Sequence, residues 1–200
     1  MRGKALRVLP FGLFDASLPP AESRIESGFV QYGAALAAEI VAAEGPICRD
    51  APAAPCVIGS GGGVAVRVGY RDHGPWYFGG AYEFSKQDAH KALVVPILQQ
   101  LRGETRYVFS TTTFIAPFAA GALGGVLYGS EWSAATFGGV ASLGIGAELS
   151  LSRTSLLVFS LSYRGLVLKR WSDPGGEDRR TGLTSLVAVE LGFEQRTSTY

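Results

Sequence analysis

The sequence predicts an all-β fold, an eight-stranded antiparallel up-and-down transmembrane β-barrel, and three observations carry that prediction. The first is the stretch from Gly63 to Ser85, two alternating segments joined by Arg71-Asp72-His73-Gly74-Pro75. In the second segment Trp76, Phe78, Gly80, Tyr82 and Phe84 share one parity, and Tyr77, Gly79, Ala81 and Glu83 the other. In the first, Val64, Val66, Val68 and Tyr70 stand opposite Ala65, Arg67, Gly69 and Arg71. Such two-residue periodicity is that of a strand with two unlike faces. Aromatics on every second position of neighbouring strands would overfill a small barrel, so the bulky face is read as outward, against lipid. The second observation is that charged residues make up only 18% of the chain, against roughly 25% in soluble domains. Yet no uninterrupted apolar run reaches the roughly 18 residues of a membrane helix. A closed barrel is the other way to span a bilayer, because its backbone groups pair from strand to strand. The third is that short turns and long loops alternate between the segments.

The elements follow in order. Residues 1–27 open with a basic stretch, Met1 to Arg7, and a short apolar one broken by Pro10 and Asp15. They read as a disordered or periplasmic lead-in, a possible remnant of a signal region, outside a barrel assigned to 28–195. Val30, Tyr32, Ala34, Leu36, Ala38 and Ile40 alternate with Gln31, Gly33, Ala35, Ala37 and Glu39 as the first strand. A proline-rich loop follows, then the pair described above, then a polar loop around Lys86 to Lys91. In the fourth strand Gln100, Arg102, Glu104 and Arg106 face away from Leu101, Gly103, Thr105, Tyr107 and Phe109. Charges in alternation cannot face lipid, so they face a lumen or water. Phe114 to Tyr128 is a fifth strand whose small residues leave its faces open, with Pro117 near its start. A loop from Gly129 to Ser133 leads to a sixth strand from about Phe137 to Leu149, in which Val140, Ser142, Gly144, Gly146 and Glu148 share the small, polar face. The seventh sets Leu157, Phe159, Leu161 and Tyr163 against Val158, Ser160, Ser162 and Arg164. Lys169 to Gly182 is a long loop, and the eighth strand sets Val187, Val189, Leu191 and Phe193 against Ala188, Glu190 and Gly192. Residues 196–200 are left as a C-terminal tail. The loop lengths put the short turns and both termini in the periplasm and the long loops outside.

This organisation resembles the small eight-stranded outer-membrane β-barrels of Gram-negative bacteria, OmpA/OmpX-like, over residues 28–195. The last strand, Ser185 to Phe193, is similar to that family's C-terminal assembly signal, although Glu194 to Tyr200 follow it here. The resemblance implies a location in the bacterial outer membrane. It also implies outer-membrane lipid, lipopolysaccharide and the barrel-assembly machinery as partners.

The remaining residues set the functional expectations. Cys48 and Cys56 close a three-proline loop; two cysteines are too few for a structural zinc site, so a disulfide in an oxidising compartment is expected. A net charge of +1 leaves no footprint for nucleic acid. His73 falls in a turn, and His90 with Asp88 and Ser85 is the one external set with catalytic residue types; a solvated loop histidine is the simpler reading. No cofactor, metal or enzymatic activity is expected. The inward face gathers Arg67, Glu83, Arg102, Glu104, Arg106, Glu148, Arg164 and Glu190, with Gln31 and Glu39. An eight-stranded lumen is just wide enough to be packed by such side chains, and Arg67 with Glu83 is expected to pair. Tyr70, Trp76, Phe109, Phe114 and Phe193 on one side, and Phe84, Tyr128, Tyr163 and Trp171 on the other, are expected to form interfacial girdles. The function read from this is a filled envelope barrel with a structural or surface-interaction role through its external loops. The alternatives are a narrow channel or transporter, and a soluble lipocalin-like barrel with the faces inverted.

Overall fold

The computed structural model describes residues 28–43, 45, 58–88, 95–110, 113–130, 133–172 and 178–198. Its strands are β1 (Phe29–Ala43), β2 (Gly61–Arg71), β3 (Trp76–Gln87), β4 (Pro96–Val108), β5 (Ile115–Ser130), β6 (Ser133–Ser150), β7 (Ser155–Leu168), β8 (Trp171–Ser172), β9 (Asp178–Arg179) and β10 (Gly182–Ser198). Eight of these close an antiparallel barrel in the order β1, β10, β7, β6, β5, β4, β3, β2. The two short ones, β8 and β9, form a separate pair within the expected long loop.

The ladder register fixes the barrel's shape. Cross-strand partners lead from Glu39 through Ala188, Ser162, Gly144, Ala120, Arg106, Tyr77 and Arg71 back to Phe29, ten residues away on the same strand. With eight strands, that stagger sets a tilt of about 40°, in the range of closed barrels. The lumen is therefore narrow enough for long side chains to cross.

The faces fall as the alternation predicts. Trp76, Phe78 and Tyr82 are 44%, 56% and 42% exposed on the outside, whereas Arg67, Glu83 and Arg102 are 7%, 0% and 4% exposed inside. This arrangement rules out the inverted, lipocalin-like reading. On β5 the even positions turn inward, burying Phe118 and Val126.

Several boundaries move. The last strand runs to Ser198, three residues beyond the expected barrel end at 195, because Glu194 and Arg196 keep the inward parity and find partners there. The expected loop from Gly129 to Ser133 is mostly strand: β5 and β6 continue past a register shift at Tyr128/Gly129 to pair Ser130 with Ser133.

Tyr128 and Trp171 do not belong to a lipid-facing girdle. Tyr128 has the inward parity of β5 and is fully buried. Trp171, on β8, sets its ring edge-on to Tyr128 with centroids 6.2 Å apart. Both join Ile58, Leu98, Val126, Val140, Leu166, Leu168 and Leu186 in an apolar cluster at the long-loop end. A smaller cluster of Val108, Ala116, Phe118, Leu156 and Val158 lies towards the short-turn end. The other expected aromatics, Tyr70, Phe109, Phe114, Tyr163 and Phe193 with Trp76, are exposed on the outer wall, and Phe84 is half-buried there. At the short-turn end Tyr107 adds to them, its ring 5.0 Å from Trp76 and 5.4 Å from Phe109. Residues 1–27, Cys48, Cys56 and His90 lie outside the described residues.

Candidate functional site in the barrel lumen

The lumen is built from the small face of each strand, and its chemistry comes from the arginines and glutamates set on that face. Every residue expected in the charge network points inward. Arg164, on β7, is the hub: its guanidinium donates to Glu39 at 2.7 Å, to Glu83 at 2.8 Å and also to Glu190. Arg102 donates to Glu83 at 2.7 Å and reaches Glu190 at 3.5 Å. Arg67 donates to Glu190 and, at 3.4 Å, to Glu104. Arg106 forks onto Glu194, with bonds of 3.0 and 2.9 Å, and donates to Glu104 at 3.1 Å. Such two-pronged arginine–carboxylate contacts are the strong, orientation-specific ones.

The expected partnership of Arg67 with Glu83 is not made. The register places Glu83 across from Ala65, and Arg67 across from Ala81, one inward position apart along the ladder. Arg67 instead reaches past β1 to Glu190 on β10, two strands away in the other direction. Strand adjacency alone does not decide which charges meet when the interior is only a side chain or two wide.

Beyond the expected set, the network takes in Arg71, Glu194 and Arg196. Arg71 donates to Glu148, and Arg196 donates to the same carboxylate at 2.8 Å. Gln31 joins by donating to Glu194 and accepting from Arg196. The signal for these residues was present as parity: Gly192, Glu194 and Arg196 continue the inward positions of β10 past Phe193, and Arg71 shares the face of Arg67. At the other end Glu39 accepts from Ser85 at 2.8 Å, from Gln100 at 3.0 Å and from Gln87. Ser85 is therefore committed inside the lumen and presents no hydroxyl for an external catalytic set with Asp88. His73 packs its ring against Phe29 in the short turn.

The described lumen thus holds six arginines (Arg67, Arg71, Arg102, Arg106, Arg164, Arg196) and six glutamates (Glu39, Glu83, Glu104, Glu148, Glu190, Glu194) in one chain of contacts. Their side chains are at most 9% exposed, except Arg196 at 19%. Equal numbers of the two charges let every buried carboxylate be neutralised by contact, which is what makes burial tolerable. Arg106 is further seated over the rings of Tyr77 and Phe118, 4.7 and 5.4 Å from their centroids.

No protein-family model matches the sequence, and no curated protein does. Solved structures do. The barrel is similar to Neisserial surface protein A, with 17% identity over 84% of this chain and 96% of that one, and a TM-score of 0.56. It is also similar to the outer membrane protein AlkL, determined in lipid bilayers, with 9% identity over 100% of this chain and 97% of that one, and a TM-score of 0.54. Identities this low speak to architecture alone. The closed antiparallel wall of eight strands is the fold of the small eight-stranded outer-membrane β-barrels.

Proposed function

We propose that this chain is an integral β-barrel of the bacterial outer membrane that conducts nothing through its lumen and acts in the envelope as a structural or surface-interaction protein through its external loops. The observation that carries the reading is the continuous arginine–glutamate network, supported by the apolar cluster around Tyr128 and Trp171 at the long-loop end. A permeating solute would have to displace several charge-assisted contacts at once and then pass a dry layer. Neither fits an open pore.

The outer wall supports lipid and lipopolysaccharide as partners. Lys169 stands over the Phe137 ring at 4.1 Å, and Lys86 is exposed beyond the aromatic Phe84 on the same wall. Cations beside interfacial aromatics suit anionic headgroups. Delivery by the barrel-assembly machinery agrees with the alternating apolar residues of β10 that end in Phe193. Nothing in this site suggests turnover of a substrate.

Purified protein reconstituted in a planar bilayer tests the reading. A heat-modifiable band on a detergent gel with no steady conductance is the expected result. Regular single-channel steps from a heat-modifiable sample would make the barrel a narrow channel instead.

A further inference from the structure

The twelve charges of the network leave a space unfilled among the described residues. A cavity of about 40 Å³ lies against the inner wall of β5, β6 and β7, lined by Arg67, Arg102, Arg106 and Arg164 and by only two carboxylates, Glu104 and Glu190. The other four glutamates of the network, Glu39, Glu83, Glu148 and Glu194, are not in its lining. The network is neutral as a whole, yet it is polarised here, with its cations towards the space and much of its negative charge behind them.

The hydrogen-bonding groups around the cavity are unequal in the same sense. Arg102, 4% exposed, has a buried Nε–H with no partner. Ser162 spends its oxygen accepting from Arg164 Nε at 3.3 Å, so its own hydroxyl proton is uncommitted. Ser142 lines the same wall and brings a third donor. Most acceptors, by contrast, are in use: the oxygens of Glu190 take Arg67, Arg102, Arg164 and Ser160, and each oxygen of Glu104 takes one arginine and keeps one lone pair. A buried water needs about three hydrogen bonds, some of them as donor. A monatomic anion only accepts. The volume is that of about three or four water-sized bodies at roughly 10–15 Å³ each, ample for a monatomic ion and too small for all but the smallest organic anions.

The geometry points to a site for a small monovalent anion, of the chloride or bromide class, held by Arg102 Nε–H and the hydroxyls of Ser142 and Ser162. Phe118 and Val158 bound it on the side of the short turns, an apolar wall that strengthens a charge-assisted contact. The site does not depend on whether the barrel conducts.

The test uses the full chain, folded in a non-ionic detergent and crystallised from sodium bromide. An anomalous peak in the cavity beside Arg102, absent in a Ser142→Ala, Ser162→Ala double variant, is the expected result. Water density without anomalous signal at that place would overturn the assignment. In solution, the midpoint of the heat-induced gel shift should be a few degrees higher in sodium chloride than in sodium gluconate at equal ionic strength. The double variant, whose gel shift reports that it still folds, should lose the difference. Equal midpoints for the unaltered chain in the two salts would overturn it as well.

Discussion

Two halves of the same wall do opposite things. Ten of the twelve lumen charges stand on β1, β2, β3, β4 and β10; β5 has none, and β6 and β7 have one each, Glu148 and Arg164. The central inward positions of β5 and β6 are instead Ala120, Ala122 and Gly124, then Ser142, Gly144 and Gly146. Arginine and glutamate side chains that reach across a narrow tube need somewhere to end, and the small residues opposite supply that space. The charged half and the small half are complementary in volume, so neither could exist alone. A wall of alanine and glycine that looks uninformative is the mould into which the ion pairs fit.

The comparison is broken most severely at Arg164, one of the two residues that carry the charge network into the small half. Arg164→Leu removes three partnerships at once and leaves Glu39, Glu83 and Glu190 short of a cation. Breaking a buried ion pair from one side costs about 3–5 kcal/mol, so urea unfolding in lipid vesicles should show a loss of at least that size. A loss under about 1 kcal/mol, the value of an exposed pair, would mean that water reaches the network freely.

The inner face of the small half is tested against the outer wall of the adjacent β4 by adding bulk to each. A Cβ at Gly124, facing the lumen, would collide with Leu101 O, whereas at Gly103, on the outer wall, the nearest atom is Leu123 O at 3.9 Å. Gly124→Ala should cost about 1–3 kcal/mol by overpacking. Gly103→Ala should be neutral or stabilise by up to about 1 kcal/mol through the unfolded chain. Equal effects at the two sites would remove the steric difference between inner and outer faces.

Within the charged half, reversal separates contact from mere adjacency. Arg67→Glu should be partly rescued by Glu190→Arg, with a coupling of about 0.5–3 kcal/mol between residues in contact. Glu83→Arg should rescue it far less, because Glu83 is already held by Arg102 and Arg164. Rescue by Glu83→Arg equal to that by Glu190→Arg would restore the neighbour-strand pairing.

How much of this was legible beforehand follows from what period-two patterning can encode. It assigns faces, and so Arg67, Glu83, Arg102, Glu104, Arg106, Glu148, Arg164 and Glu190 could all be placed inside from sequence. It does not encode stagger, so it could not say that Arg67 reaches past β1 to Glu190. It also gives no reason to stop at an aromatic: parity runs on through Glu194 and Arg196, and ending the strand near Phe193 hid two members of the network. Tyr128 and Trp171 were misplaced for a related reason. On a strand of alanines and glycines neither face is marked, and a tyrosine near its end satisfies an interfacial girdle and a buried cluster equally well until the register is known.

The smallest effect comes from the same chemistry placed in water. Arg170 and Asp178 pair at 2.6 Å on the β8–β9 hairpin with side chains 69% and 57% exposed, and Ser172 donates to the same carboxylate at 2.6 Å. The Ser172 hydroxyl, and then Arg170, hold the Asp178 carboxyl below its ordinary 3.8. A carboxyl depressed on folding contributes its stability fully above the unfolded value and loses it as pH falls through the folded one. Between pH 7 and pH 5 the hairpin should therefore not change, and only more acidic solution should loosen it. An NMR titration of the Asp178 carboxyl should find its midpoint below 3.8, moved upward by Ser172→Ala and by Arg170→Ala. Barrel stability should be unaltered by either substitution, because solvent already screens this pair. A loss like that expected for Arg164→Leu would show that the hairpin, and not burial, is what makes an ion pair matter in this molecule.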